Sequence, residues 1–397
     1  MAPMPDPFLK QYLMTAGPTP LPPAVSQAMA QPMLYHRAPA FVPVYARALA
    51  RLKLVFQTSC DVLLFASSGS GAMESAVANL VRAGEPALVA SCGKFGERWA
   101  DLCDAYGADT VHWETEWGLK VDPAELDRRL AANRDVEVVF VTASETSTGV
   151  VNDVRELTAV AHRHGALIAV DAVSAMGAVP LPQDEWGVDV VVSGSQKALM
   201  SPPGLAFASP NEAALERAAS VVGRRHYFDW GPAVAGQRKE SPDSPFTPAV
   251  GLVQALDVAL GLIEREGLEA VYERHRILGR ATREAVRALD LDLLGEPDDS
   301  ANVVTAIKLP DTVDGAAVPK LMRDRFGVTI AGGQGRLKGR IARIAHCGYF
   351  GAFDIVVTMA AFEMTLRRLG HEVELGTGVA AAQRVFLEAG MPARSAA

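Results

Sequence analysis

Between residues 60 and 210, six short apolar runs (62–66, 87–91, 136–142, 167–171, 188–193 and 205–208) are separated by amphipathic stretches at 71–82, 95–106, 123–132 and 153–164. The runs are nearly continuous in Val, Ile, Leu and Phe, as in strands covered on both faces. Alternation of this kind predicts an α/β fold with a mostly parallel, helix-covered sheet. Ligands of such sheets collect outside the carboxyl ends of the strands. Chemistry is therefore expected in the residues that follow each run.

The pattern changes near residue 225. Residues 226–249, HYFDWGPAVAGQRKESPDSPFTPA, are rich in Pro, Gly and charge and read as a long functional loop. A helical period then runs from 250 to 289 with a break at Gly267. It is followed by a strand (303–308), a helix (315–326), a short strand near Val328, a strand (340–345) and a helix (353–369). This describes a smaller α+β domain, and residues 372–397 read as a helix followed by a small-residue tail.

Charge and cysteine content narrow the function. With 38 basic against 46 acidic residues and a net charge of -8, no basic excess exists to neutralise nucleic-acid phosphates. Cys60, Cys92, Cys103 and Cys347 form no CxxC and no metal-like set, so neither a disulfide framework nor a metal is expected. His162 and His164 stand two apart near a helix end and make a poor metal pair. The most apolar long stretch, 165–182, carries Asp171 and two prolines and is no membrane span. The proline-rich start is no signal peptide. A soluble, cytoplasmic protein is expected.

Three strand ends carry chemistry. After 62–66 comes Ser67-Ser68-Gly69-Ser70-Gly71, opening a helix. Such a turn either offers backbone N–H groups and hydroxyls to a phosphate or simply caps the helix with serine. It lacks the third glycine of a dinucleotide fingerprint. The run 167–171 ends in Asp171, and a carboxylate buried there needs a cationic partner or caps the next turn. The run 188–193 leads into Ser193-Gly194-Ser195-Gln196-Lys197, with Pro202-Pro203-Gly204 fixing the loop behind it. A strand-end lysine with a lowered pKa is a nucleophile toward aldehydes. A phosphate cradle, an acid and a lysine together suit pyridoxal 5'-phosphate, which needs an anchor, a protonated ring nitrogen and an amine.

On the segments AGPTPLPP (16–23), SSGSGAME (67–74), SETSTGVV (144–151), VDAVSAMG (170–177), SGSQKALMSPPG (193–204) and RIAHCG (343–348), the chain resembles the class V, fold type I pyridoxal-phosphate aminotransferases. Their alanine–glyoxylate and serine–glyoxylate (pyruvate) branch is the nearest. The resemblance spans residues 16 to about 370. It implies an N-terminal segment (1–20) serving the active site and small domain, a large cofactor domain (21–255), a small domain (256–380) and a tail (381–397).

By this resemblance Lys197 bonds the cofactor and later shuttles the proton, Asp171 pairs with the ring nitrogen, and Val173 packs on the ring. Ser68, Gly69, Ser70 and Gln196 hold the phosphate, Phe95 stacks on the ring, and Thr146 lies near the phenolic oxygen. Arg343 and Gly17 bind substrate, Arg343 by a two-pronged grip on the α-carboxylate. Thr247 reaches the phosphate of a partner subunit, so a homodimer is implied. Relatives often carry His at position 70, Trp at 95 and Tyr at 244, where this chain has Ser70, Phe95 and Ser244.

The implied activity is a ping-pong transamination from alanine or serine to glyoxylate or pyruvate. A specialised transaminase such as a ureidoglycine–glyoxylate enzyme, a lyase on the same cofactor and a non-enzymatic cofactor-binding protein are the alternatives. Cysteine desulfurases of this fold place their cysteine before the substrate arginine, whereas Cys347 follows Arg343.

Overall fold

The computed structural model describes residues 9–223, 225–295 and 301–390. Its centre is a seven-stranded sheet. Across it the strands run Leu63–Phe65, Ala206–Pro210, Val190–Gly194, Leu167–Asp171, Val138–Thr142, Pro86–Ser91 and Asp109–Glu114. Only Ala206–Pro210 is antiparallel to its neighbours. The apolar runs are therefore strands buried on both faces, in a mixed, mostly parallel sheet.

The two-residue period of each strand divides its side chains between two cores. Val139, Val141, Ile168 and Val170 face a core built with helices Val42–Phe56, Val154–Arg163 and Val250–Glu266. Val138, Phe140 and Ala169 face the other, closed by Gly69–Leu80 and Lys94–Ala105. Buried in this way, a Leu or Phe side chain contributes on the order of 2–3 kcal/mol. Every parallel strand ends at the same rim, and that shared rim is what assembles the site.

A second unit is built on a three-stranded antiparallel sheet, Val304–Lys308, Ile341–Ala345 and Ala331–Gly332, packed against the helices Leu268–Arg287 and Ala352–Arg368. The N-terminal segment joins it. Tyr12–Leu13 pairs in parallel with Val328–Thr329, and Met14 and Ala16 enter its core.

One expectation needs correction. Within the stretch read as a loop, Trp230–Gln237 is a helix. Asp229 caps it through the Gly231 N–H, Pro232 falls in its first turn where no donor is needed, and Trp230 is fully buried. The expected limit at 380 falls inside the helix Thr377–Glu388, whose Ala382, Val385 and Phe386 lie in the small-unit core. The limit at 255 falls inside Val250–Glu266. Residues 1–8 of the expected N-terminal segment and 391–397 of the expected tail lie outside the described residues. No helix among the described residues is long and apolar enough to cross a membrane.

Candidate active site

Asp171 ends its strand with the carboxylate buried, Oδ1 accepting from the Val173 N–H at 2.8 Å. Burial raises its pKa from 3.8 to about 6, and the negative charge of Glu145 adds to the rise. The Val173 N–H and the charges of Lys197 and Arg98 oppose it. A carboxylate so placed is an acceptor in want of a cation.

Lys197 lies in the loop between the strands Val190–Gly194 and Ala206–Pro210. Ser195 stiffens that loop by donating its hydroxyl to the Pro202 carbonyl at 2.5 Å. The lysine is buried, and its Nζ donates to the Ala16 carbonyl of the N-terminal segment. Its own carbonyl accepts from the Thr19 hydroxyl at 2.9 Å, tying the same segment down again. Burial lowers its pKa, Arg343 and Arg98 acting in the same direction and Cys347 and Asp171 against it. Nζ stands 6.0 Å from the centre of the Phe95 ring.

The serine-glycine turn opens the helix Gly69–Leu80, and the Ser68 side chain makes no capping bond to it. Its hydroxyl is therefore not spent on capping this helix. A Cβ on Gly69 would stand 2.6 Å from Val173 Cγ2, so only glycine lets Val173 pack beneath the cradle. Gln196 comes beside it: a Cβ on the neighbouring Gly194 would meet Gln196 Oε1 at 2.9 Å and the Gly69 backbone nitrogen at 3.4 Å. Gln196 Oε1 is buried without a hydrogen-bond partner. Ser70 Oγ accepts from Arg98 Nη1 at 2.9 Å, and the Arg98 guanidinium lies 5.0 Å from the Phe95 ring centre.

Arg343 approaches from the small-unit sheet. Its Nε donates to the Gly332 carbonyl at 2.9 Å and its Nη1 to the Thr146 carbonyl at 2.6 Å. Those bonds fix the plane of the guanidinium and leave Nη2 and the second Nη1 hydrogen for a ligand. Burial lowers its pKa. Thr146 is itself buried. Gly17 has φ +124°, and a side chain there would collide with Lys197.

The rim thus assembles Gly17, Ser68, Gly69, Ser70, Phe95, Thr146, Asp171, Val173, Gln196, Lys197 and Arg343. Thr247 is the exception, exposed on a loop. Its neighbour Phe246 stacks on Tyr227 with ring centres 4.9 Å apart, and the Tyr227 hydroxyl donates to the Ala66 carbonyl at 3.4 Å, beside the cradle.

No three His, Cys, Asp or Glu side chains converge as a metal site among the described residues. His162 bonds Asp189 at 2.9 Å and His164 bonds Asp127 at 3.0 Å, each tying one element to another.

A family model described as aminotransferase class-V matches residues 11–342. The chain belongs to that family. A soluble hydrogenase small subunit from a Synechococcus species is 42% identical over 95% of this chain and 98% of its own. The serine–glyoxylate aminotransferase of Methylorubrum extorquens is 36% identical over 96% of each chain. The crystal structure of ureidoglycine–glyoxylate aminotransferase from Bacillus subtilis superimposes with a TM-score of 0.90 at 28% identity, covering 95% of this chain and 98% of that one. The architecture of this family member is accordingly that of the fold type I aminotransferases.

Sequence reasoning missed two residues at this rim. Glu145, fully buried, accepts at Oε2 from the Phe95 and Gly96 N–H groups, both at 2.9 Å. At Oε1 it accepts from the Ser147 N–H at 3.0 Å and the Ser147 hydroxyl at 2.6 Å. Burial raises its pKa and those four donors resist the rise. Its place, three residues beyond the apolar strand Val138–Thr142, is a strand-end position of the kind that singled out Asp171 and Lys197. Arg98 carried only helical spacing, three residues after Phe95.

Proposed function

We propose that this class-V aminotransferase binds pyridoxal 5'-phosphate at the strand-end rim and transfers the amino group of alanine or serine to glyoxylate or pyruvate. The observation that carries the reading is the pairing of two buried groups of opposite need. Lys197 is a buried amine whose charge desolvation disfavours, and Asp171 is a buried carboxylate with no ion pair among the described residues. The residues fit the cofactor: at a helix start the Ser68 hydroxyl makes no capping bond, the Gln196 amide beside it, whose Oε1 has no partner, can turn its NH2 to donate to a phosphate, and Phe95 and Val173 offer apolar faces.

When bound, the cofactor supplies an electron sink conjugated to the substrate nitrogen. Asp171 holds a proton on its ring nitrogen, and Ser68, Gly69, Ser70 and Gln196 hold its phosphate. Lys197, with its lowered pKa, takes the proton from the substrate α-carbon and returns it. Arg343 grips the α-carboxylate through two parallel N–H groups. Thr146 lines the phenolic side, and Gly17, with no side chain, packs directly over the lysine beside the substrate. A second copy of the chain supplies Thr247, which would make the working unit a homodimer. The four free cysteines suit a cytoplasmic setting.

Glyoxylate is named in both the Methylorubrum relative and the Bacillus enzyme, which favours it as acceptor. The hydrogenase name of the Synechococcus relative adds nothing here, because an amine, a carboxylate and a guanidinium are the groups of amino-acid chemistry. The test is a half-reaction without acceptor, using alanine, serine, aspartate or glutamate, followed in the visible absorption of the bound cofactor. One equivalent of keto acid per site, from alanine or serine first, is the expected result. Many turnovers without acceptor would make the protein a lyase. A ureidoglycine preference would move it to the specialised branch, and absence of any lysine-bound cofactor would overturn the reading.

A further inference from the structure

Within the reading above, the cradle has a charge to balance. Phosphate esters carry about -1.5 to -2 at neutral pH. The cradle residues Ser68, Gly69, Ser70 and Gln196 are all neutral. A cation near such an anion lowers the cost of holding it, the more so because the Asp171 carboxylate is buried at the same rim.

Arg98 is the cation at hand. The helix Lys94–Ala105 places Phe95 and Arg98 three residues apart, on one face. From there the guanidinium bonds Ser70 Oγ at 2.9 Å and lies against the Phe95 ring at 5.0 Å. It is half-buried and makes no ion pair among the described residues. We propose that Arg98 is the charge of the phosphate cradle, acting through the Ser70 hydroxyl while holding the Phe95 ring in place.

The hydrogen-bond inventory gives the physical basis. Guanidinium only donates, whereas a hydroxyl has one hydrogen to give and lone pairs to receive. With Arg98 donating to Ser70 Oγ, the hydroxyl hydrogen must point elsewhere, and an anion in the cradle is the group that needs it. A hydroxyl that accepts from a cation is also a stronger donor. Arg98 therefore transmits charge one bond further than its own reach. The second contact serves the ring, because a cation over an aromatic face restrains both partners. Arg98 is among the charges felt by both Asp171 and Lys197, so it is electrostatically part of the same site. It is a positioning residue, with an effect that depends on the ligand carrying phosphate.

That dependence makes the test. Cofactor-stripped full-length protein is titrated with pyridoxal 5'-phosphate and separately with pyridoxal, which lacks the phosphate. The variants are Arg98→Met, Arg98→Lys, Ser70→Ala and the Arg98→Met/Ser70→Ala double, each checked for folding by circular dichroism. Arg98→Met should weaken pyridoxal phosphate binding roughly ten- to hundredfold and pyridoxal binding less than about twofold. Arg98→Lys should recover part of the loss, and the double variant should lose little more than either single one. A parallel loss for both ligands would mark Arg98 as merely structural and overturn the proposal. Full retention of the phosphate preference in Arg98→Met would overturn it alone. A wild-type protein with no preference for the phosphorylated ligand would overturn both this proposal and the functional reading beneath it.

Discussion

At the scale of single residues, glycine is required where a side chain must come close. Gly69 has an ordinary backbone, and its constraint is contact: an added methyl would meet Val173 Cγ2 at 2.6 Å. Gly69→Ala should therefore push Val173 out of place and weaken pyridoxal phosphate binding at least about tenfold, with the fold intact. Val173→Ala on that background should restore part of the affinity, and a cofactor titration of the three proteins checks it. Arg343 is constrained differently, since two of its three nitrogens already serve the Gly332 and Thr146 carbonyls. Lysine cannot meet both and still grip a carboxylate. Arg343→Lys should lower kcat/KM for the amino donor by about a hundredfold, mostly through KM. An unchanged KM would remove Arg343 from the substrate site. Asp171 and Lys197 stood out in the sequence because one ends, and the other closely follows, a run too apolar to be anything but a buried strand. Arg98 was not legible: its partners Ser70 and Phe95 lie on different helices, and nothing in a linear pattern states that two helix starts meet.

At the scale of elements, the helix Lys94–Ala105 is aimed by a carboxylate from another segment. Glu145 lies on the short strand Ser144–Glu145, paired with Val150–Val151, and accepts the first free N–H groups of that helix. A carboxylate at a helix N-terminus is favourable by charge as well as by hydrogen bonding. Gly93 makes the approach possible, because a Cβ there would run into the Glu145 carboxyl. Glu145→Gln puts an amide NH2 against donors it cannot satisfy. We expect a loss of about 2–3 kcal/mol in denaturant unfolding, with a weaker cofactor interaction as Phe95 loses its fixed position. Stability equal to wild type would show the carboxylate to be dispensable. Two of the elements the sequence did not announce have different causes. In Asp109–Glu114 an edge strand alternates polar with apolar residues, and Trp230–Gln237 contains two glycines and a proline. The alternation in Asp109–Glu114 is the pattern of a half-buried edge strand, passed over by a search for continuous apolar runs, whereas the burial of Trp230 holds Trp230–Gln237 against its local propensity.

At the scale of the whole molecule, the N-terminal segment, the long helix Leu268–Arg287 and the small-unit sheet converge beside the lysine loop, and two neutral histidines lie at that junction. His275 accepts from the Gly348 N–H at 2.9 Å, while Arg274 donates to the Gly348 carbonyl at 2.7 Å. His346 bonds the Thr305 hydroxyl at 3.0 Å, and the next strand residue, Ala345, donates its N–H to Met14. Burial lowers the pKa of His346 from 6.5 to about 3, with the Arg283 charge adding to it. Burial, with the Arg274 charge, puts His275 well below its usual value. A histidine whose folded pKa is depressed contributes stability above its unfolded value of 6.5, and loses it as pH falls. His346 alone should cost about 2 kcal/mol between neutral pH and pH 5. Asp171 acts with the opposite sign. Its folded pKa of about 6 lies above the ordinary 3.8, so in cofactor-free protein its protonation favours the fold as pH drops. The net slope mixes the two, and the contribution of His346 is read by difference. Denaturant unfolding of wild type and His346→Gln at pH 7.5 and pH 5 should show the wild type losing more stability on acidification by about 2 kcal/mol. An equal loss in both proteins would mean that His346 takes up its proton without disturbing the junction.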